Sequence, residues 1–424
     1  QRGNMDKPNF WERHEAKFYT FGHFYANIYG QVMIDYMPHE PLKGPLKVLL
    51  IAYSHVFSLA LIVVVPCYFG YHYRLLMAAV DSRMQLVLYV GFANTLIKYV
   101  TVVLTYMANT LHFRGINHGC TMRRARLEED FMAGYRGPRW PKRRFETFMY
   151  YKFFLINIMM IVQVCGIFAS SGGDESDDPS AQASRALRTQ FAIYSFVLWN
   201  YTEHMADYFF WMNSNVLKYL RVLQQQLMRA LQRVRLLARS RRRGMFMANC
   251  SRLCDRLAAL RQNFIEIHAL YVESFRIHQL QLLGLTLTTL INNLTNFFTI
   301  FNLVSAHSLA NASYPVLISV LYAFTYYLDT YIVTLVNEQI KQEMTSLALV
   351  IGQFSGYPSL QPPSLDQEAS LRLEQFSLQI LQHRPPMLCG LLYLDRRLIY
   401  LIAVTAFSYF ITLVQFDLYL QNTR

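Results

Sequence analysis

Charged residues are scarce in this 424-residue chain. Asp, Glu, Lys and Arg make up 16% of it, against about 25% in an ordinary soluble domain. Apolar residues make up 53% and aromatic residues 15%, yet the mean hydropathy is only +0.16. Very apolar segments must therefore alternate with polar and basic ones. This composition argues against a soluble domain and favours a protein that crosses a membrane several times.

Metal-binding and disulfide patterns are also missing. The six cysteines are scattered, and Cys250 and Cys254 have no second Cys/His pair that would complete a zinc site. No His-x-x-x-His occurs, which argues against a seven-helix membrane hydrolase that holds zinc through several histidines. Internal repeats and Gly/Pro-broken helix pairs, the usual signs of a transporter, are absent too. We therefore expect no enzyme activity, no cofactor and no metal.

Seven segments are long and apolar enough to span a membrane as helices, which takes about 20 residues each. The fourth is the weakest because it carries Glu203, His204 and Asp207, and buried charge in a membrane is costly. These acids are expected to face an aqueous interior or to pair with Lys98 or Lys152. The predicted spans are residues 48–72, 84–107, 148–169, 190–212, 280–304, 316–336 and 398–420.

The segments between the spans are expected to be polar and partly helical. Two apolar stripes recur at helical spacing in residues 213–279, and we expect them to pack against each other and against a neighbouring subunit. The stripes are Leu220, Leu223, Leu227, Leu231 and Val234, then Leu253, Leu257, Leu260, Phe264 and Ile267. The predicted segments are 1–47, cytosolic; 48–212, spans one to four with a basic loop at 108–147; 213–279, cytosolic helical extensions; 280–336, spans five and six; 337–397, a cytosolic anchor with a break after 355; and 398–424, span seven with an extracellular tail.

Lysine and arginine are distributed unevenly between the two sides. With seven spans, 32 of the 40 basic residues fall on the side of the amino terminus and five on the other. Basic loops stay in the cytosol, so the amino terminus is expected inside and the carboxyl terminus outside. This is the reverse of G-protein-coupled receptors. It also places the net charge of +13 at the inner leaflet, without any need for nucleic acid, and it leaves Asn311 as a possible N-glycosylation site outside.

The seventh span carries a recognisable motif. Ser408-Tyr409 is followed by five mostly apolar residues and then by Gln415-Phe416. The lead-in contains Cys389-Gly390-Leu391 and Leu394-Asp395-Arg396. This stretch resembles the seventh-helix signature of the insect gustatory receptor family, with Ser in place of the usual Thr. The match covers about fifty residues, and the helix count and orientation agree elsewhere.

The resemblance implies an all-α, seven-helix, ligand-gated, non-selective cation channel formed by four subunits, or a heteromer with other gustatory receptors, in the plasma membrane of sensory neurons. The seventh helices would line the pore, with Gln415 and Phe416 at the gate and Tyr409 in the same signature. Ser408 and Tyr409 are expected to pack against other helices. An amide can replace part of a cation's hydration, and an aromatic ring can close a pore by dewetting.

The ligand would be a small-molecule tastant. Outer halves of the predicted spans offer aromatic and amide side chains of the kind that line small-molecule sites. These candidates are Gln163, Trp199, Asn293, Asn296, Phe297, Tyr322 and Tyr326, with Asp329 as a charge that senses a ligand or is coupled to gating. Each of them also fits a role as a contact between helices.

Two features address ligand class. Sugar-sensing gustatory receptors resemble one another in having Glu after the signature Tyr, whereas this chain has Phe410. Bitter or other non-sugar compounds are therefore expected. The alternative is an insect odorant receptor of the same architecture, which the spacing from Tyr to Gln-Phe disfavours.

Overall fold

The computed structural model describes residues 10–31, 45–77, 85–135, 140–171, 179–237, 243–306, 309–355, 374–380, 382 and 385–422. Nearly all of them are helical. The helices are α1 (Phe10–Ile28), α2 (Pro45–Leu59), α3 (Val65–Tyr71), α4 (Tyr73–Met77), α5 (Gln85–Ala108), α6 (Arg114–Arg126), α7 (Trp140–Ser171), α8 (Pro179–Leu237), α9 (Arg243–Ala306), α10 (Leu309–Ser355), α11 (residues 374–380) and α12 (Arg396–Asn422). Two short strands, β1 (Met387–Leu388) and β2 (Leu392–Tyr393), precede α12.

Five helical segments are apolar and long enough to cross a membrane. They are Val48–Tyr71, Tyr89–Leu111, Trp140–Phe168, Val316–Gly352 and Arg396–Phe416, and each overlaps a predicted span. The first includes a wide π-helical turn, Ala60–Val64, just before Pro66. Proline has no N–H and crowds the preceding turn, which this wider turn accommodates. Much of the segment is exposed apolar surface, for example Val56 at 67%, as a helix facing lipid requires.

The other two predicted spans lie within the longest helices. Residues 190–212 are part of the 59-residue α8, and residues 280–304 are part of the 64-residue α9. Neither meets the same hydropathy criterion, because the α8 segment contains acids and the α9 segment contains a run of threonine and asparagine. Both are helical at the predicted positions, so the count of seven spans remains a prediction.

The long helices α8, α9 and α10 continue well beyond the apolar segments and form one hydrophobic core. Leu220, Leu223 and Leu227 of α8 are each at most 1% exposed, and Leu257 and Phe264 of α9 lie in the same core. The two predicted stripes therefore do pack against each other. The expectation that the α8 stripe also contacts a neighbouring subunit is wrong for these three leucines, because none of them has surface left.

Residues 108–147 were predicted as a loop, but helix continues through most of the described part of it, residues 108–135 and 140–147. A π-helical turn (Asn109–Phe113), α6 and a second π-helical turn (Leu127–Met132) extend α5. Cys120, Arg124, Leu127 and Phe131 are buried, at a helical spacing that the many arginines conceal. Arg123 binds Glu266 at 3.0 Å and Glu273 at 2.5 Å, so this extension is fastened to α9.

Residues 10–28 form a helix, α1, that the sequence analysis did not predict. Its aromatic side chains pack edge-on against α7 and α8: the rings of Phe18 and Phe153 lie 5.2 Å apart, and those of Tyr19 and Trp211 lie 5.6 Å apart. The helix ends in a turn at Gly30, which has a φ of +69°. An added Cβ there would approach Ser54 of α2, so glycine permits both the turn and the close packing.

The lead-in to α12 is a small hairpin. Met387 pairs with Tyr393 and Leu388 with Leu392, while Cys389 and Gly390 both take positive φ to make the turn. Leu388 is fully buried. Asp395 then caps α12, since its Oδ1 accepts a hydrogen bond from the N–H of Arg397 at 3.0 Å. The Cys-Gly and Asp-Arg pairs of the motif thus set the position and the start of α12.

Candidate ligand-binding network and pore helix

Four of the predicted ligand-binding residues meet where α7, α8 and α10 pack together. The Nε2 of Gln163 donates to the Tyr326 hydroxyl at 2.9 Å, and that hydroxyl donates to Tyr322 at 2.9 Å. The ring of Trp199 lies 4.3 Å from that of Tyr326. Asn200 adds a bond from its Nδ2 to Gln163 at 3.3 Å. We call these five residues the amide–tyrosine network.

The network is closed in this structure. Gln163, Trp199 and Tyr326 are at most 3% exposed. The amide of Gln163 and the hydroxyl of Tyr326 are hydrogen-bonded, whereas Nε1 of Trp199 is buried without a hydrogen-bond partner among the described residues. Unpaired polar groups are costly in a membrane, so these bonds favour the packed arrangement of the three helices. A ligand that separates these helices must replace the hydrogen bonds with its own, so the arrangement can select for a polar group of matching geometry.

A cluster of charges lies about one helical turn from the network. The Nζ of Lys152 on α7 is 2.5 Å from Asp329 of α10, and 2.7 Å from Asp207 and 3.3 Å from Glu203 of α8. The four residues, called here the charge cluster, are joined to the network because Asp329 follows Tyr326 by three residues and Glu203 follows Trp199 by four.

These distances show which lysine pairs with Glu203 and Asp207. Pairing with Lys152 is confirmed, and pairing with Lys98 is wrong: the Nζ of Lys98 instead donates to Ser195 at 3.0 Å and lies 5.5 Å from the centroid of the Trp199 ring. Asp329 is 2% exposed and bound to Lys152, so any response of this group to a ligand must pass through neighbouring side chains.

The remaining predicted ligand residues do not join the network. Asn293 and Phe297 line a separate cavity of about 650 Å³ between α9, α10 and α12, together with Phe324 and Phe407. Asn296 is outside both groups, and its Nδ2 is buried without a hydrogen-bond partner among the described residues. The predicted ligand residues therefore lie in two places, one between α7, α8 and α10 and one between α9, α10 and α12.

The three residues of the pore signature lie on the exposed surface of α12. Tyr409 is 58% exposed, Phe416 is 53% exposed, and Gln415 is also exposed. Tyr409 and Phe416 are seven positions apart and so share nearly one helix face. Ser408 is exposed as well, and it lines the cavity between α9, α10 and α12. The expectation that Ser408 and Tyr409 pack against other helices therefore stays a prediction.

The extensions beyond the apolar segments carry ion pairs of their own. Glu128 accepts hydrogen bonds from Lys218 and from the hydroxyl of Tyr219, both at 2.8 Å. Burial raises the pKa of Glu128, but the Lys218 ammonium and these bonds outweigh burial, and the pKa lies below its usual value. Burial, followed by the Glu128 charge, raises the pKa of Tyr219 well above normal.

Metal and disulfide chemistry find no support among the described side chains. Within the described ranges no group of three or more His, Cys, Asp or Glu side chains could hold a metal ion, and the described cysteines are free thiols. Burial, then Glu273, raises the pKa of the Cys120 thiol to about 12, so this cysteine remains protonated and structural.

Comparison with known proteins identifies the family. A sequence-family model described as 7tm chemosensory receptor matches residues 21–420. The chain belongs to this family of chemosensory receptors. The receptor is 54% identical over 417 residues to Gustatory receptor 10a of Drosophila melanogaster, and the alignment covers 98% of each chain. The predicted resemblance to insect gustatory receptors is thus confirmed.

The fold also matches a solved structure. The receptor superposes on an olfactory receptor of the insect Machilis hrabei with a TM-score of 0.56, covering 95% of this chain and 99% of that one at 11% identity. At this identity the likeness concerns the fold alone. It agrees with the all-helical architecture.

Two contributors to the site were not predicted from the sequence. Asn200 was not among the predicted ligand residues, although an amide in an apolar span is itself a sign of a contact between helices. Tyr25 of α1 donates a hydrogen bond to Asn200 at 3.2 Å. No sequence signal marked Tyr25, because residues 10–28 are too polar to be read as a span.

Proposed function

We propose that this receptor is a subunit of a tastant-gated, non-selective cation channel that responds to bitter or other non-sugar compounds. Support comes from the family, from the gustatory name of the 54% identical relative and from the Ser-Tyr and Gln-Phe motif on α12. The likeness to an olfactory receptor concerns the fold, so the gustatory assignment is favoured over the odorant one. Four copies, or a heteromer with other gustatory receptors, would place α12 around a central pore in the plasma membrane of a sensory neuron.

The observation that carries the ligand site is the amide–tyrosine network. It holds an aromatic wall (Trp199, Tyr322, Tyr326) and an amide (Gln163) at the junction of three helices. A tastant with one hydrogen-bonding group and an apolar body would replace these contacts. Its binding would then shift α10 relative to α7 and α8, and α10 also packs against α12.

The apolar surroundings of Phe410 support the proposal that the ligand is not a sugar. Its ring packs 6.0 Å from Phe297 and 6.3 Å from Phe301 of α9. An apolar contact occupies the position where sugar-sensing relatives have an acid. A polyhydroxyl ligand gains no hydrogen bond there.

The test is current recording with a tastant panel, from cells expressing the receptor alone and with other gustatory receptors. Tyr326→Phe keeps the ring but removes the hydroxyl that links Gln163 to Tyr322. We expect it to raise the half-maximal ligand concentration about tenfold, the effect of 1.4 kcal/mol. Tyr331→Phe, on the same helix and 36% exposed, is the matched control. If surface-expressed receptor passes no ligand-evoked cation current in either setting, the channel proposal fails.

Seven spans with the amino terminus inside complete the proposal. They are supported by the lysine and arginine bias, and by α8 and α9 being helical throughout the two less apolar spans. An epitope after Arg424 should be stained on intact cells, and one before Asn9 only after permeabilisation. The reverse pattern would contradict the orientation. The same cells would show whether Asn311, in the first turn of α10, is glycosylated.

A further inference from the structure

A second cavity lies beside α1, and Tyr25 in its wall donates a hydrogen bond to Asn200 of the amide–tyrosine network at 3.2 Å. It has a volume of about 140 Å³ and lies between α1, α7 and α8. Asp207 in its wall is eight residues along α8 from Trp199, or about 12 Å. A cavity of this size accommodates roughly one benzene ring with a small substituent.

The wall of this cavity, called here the α1 cavity, is mainly aromatic. Its rings come from Phe21, Phe153, Phe210 and Trp211, and Gly22 also lines it without filling space with a side chain. Phe21 is 52% and Phe153 39% exposed, so the cavity opens towards an apolar surface. A molecule that enters by this route must itself be soluble in lipid.

The charged groups at the cavity decide the sign of the ligand. Lys152 and Asp207 belong to the wall, whereas Glu203 and Asp329 lie behind it. The charge cluster thus has three acids for one base. Lys152 lies 2.5 Å from Asp329, 2.7 Å from Asp207 and 3.3 Å from Glu203. Asp207 therefore shares this base with two other acids. Surplus negative charge in so apolar a place favours an additional cation.

We propose that the α1 cavity binds a small lipophilic ammonium ion, with its nitrogen beside Asp207 and its apolar body among the aromatic rings. Aromatic faces attract cations, and here they surround the carboxylate. Lys152 lies 2.7 Å from Oδ1 of Asp207, so the ammonium is expected to approach Asp207 from the side away from the lysine. None of the five network residues lines this cavity, although Tyr25 in its wall is hydrogen-bonded to Asn200. A ligand held there would contact α1, α7 and α8 together.

The experiment measures binding to the purified full-length receptor in detergent by ligand-induced thermal stabilisation. Benzylamine is the probe, with benzyl alcohol as the neutral and benzoate as the anionic compound of similar size. We expect benzylamine to bind about tenfold or more tightly than benzyl alcohol, and benzoate more weakly than either. Equal affinities for the amine and the alcohol, or preference for benzoate, would overturn the proposal.

Two variants separate charge from shape. Asp207→Asn should abolish the preference for amine while leaving Lys152 with two acids. Gly22→Leu should fill the cavity and weaken benzylamine at least tenfold. Gly115→Leu is the control for the second change, because a Cβ there meets nothing within 4 Å. Should Asp207→Asn fail to fold, Gly22→Leu decides alone: unchanged benzylamine binding would refute the site. Because the readout is binding, failure here would leave the proposed channel activity unaffected.

Discussion

Lys152 and Asp329 stand 177 positions apart in the chain, and their charged atoms lie 2.5 Å apart. The pair joins α7 to α10 inside segments that are apolar enough to span a membrane. Two acids of α8 complete the charge cluster, so three helices depend on one lysine.

Replacement of that lysine should be severely destabilising. Lys152→Met leaves three buried acids without a base, and we expect a loss of about 3–5 kcal/mol in unfolding free energy. Adding Asp329→Asn should recover part of it by removing one of the acids. Lys341→Met, at an exposed position of α10, is the control. Thermal unfolding of the purified receptor and surface labelling would measure the effect, and a stable Lys152→Met alone would contradict the role of the cluster.

The pore signature makes a second prediction. If Phe416 forms an apolar constriction, Phe416→Ala should raise the basal current without ligand, because a wider ring is wetted. Gln415→Ala should instead alter conductance or ion preference, since it removes a polar group that replaces part of a cation's hydration. Adjacent positions are about 100° apart on a helix, so both can border the pore only if its axis runs between them. Leu418→Ala, on the exposed surface of α12, is the control.

Those recordings must be normalised to surface expression, because lost protein would mimic lost current. Two alanine variants that reach the membrane with unchanged basal current, permeability and ligand response would show that these side chains are not the gate. They would then be contacts with lipid or with other helices.

The crossing of α5 and α9 depends on a glycine. A Cβ added at Gly284 would overlap the side chain of Thr101, which is 5% exposed and has little room to move. Gly284→Ala should therefore cost about 1–3 kcal/mol through overpacking. Gly91→Ala on α5 meets no atom within 4 Å and should be neutral or stabilising. Equal melting temperatures for the two variants would show that the helices can separate at no cost.

The ion pair between Glu128 and Lys218 predicts a pH effect. Because the pKa of Glu128 is lower in the folded receptor than in the unfolded chain, its contribution to stability is present above the unfolded value of about 4.3. It is lost as the pH falls through the folded value. Glu128→Gln should lower the melting temperature at pH 7. The variant should also lose less of its melting temperature than the parent between about pH 5 and pH 3, the range in which a glutamate with a lowered pKa is protonated.

Glu374→Gln, on an exposed position of α11, controls for the loss of a carboxyl group as such. If both variants melted identically at every pH, Glu128 would not contribute to the stability of the extensions.

Features of the fold were predictable from the sequence when the residues that form them are close together in the chain. The apolar runs of the five strongest spans, the extensions of α8 and α9 and the motif on α12 are local patterns, and each appeared where the sequence placed it. α1 and the helical continuation through residues 114–132 were missed, because their buried faces are short and interrupted by charge. The hairpin before α12 was missed because two residues per strand leave no period to detect.

The sequence by itself determined the composition of each helix, the distribution of basic residues and the family motif, since these depend on neighbours within a few turns. Only the tertiary structure decided which buried groups meet. It paired Lys152 with acids of two other helices, joined Gln163 to Tyr326, and placed Asn293 and Phe297 in a different cavity from them. The physical reason is that helices meet along faces whose relative rotation is set by packing over their whole length. A residue's partner across such a contact cannot be read from its own helix.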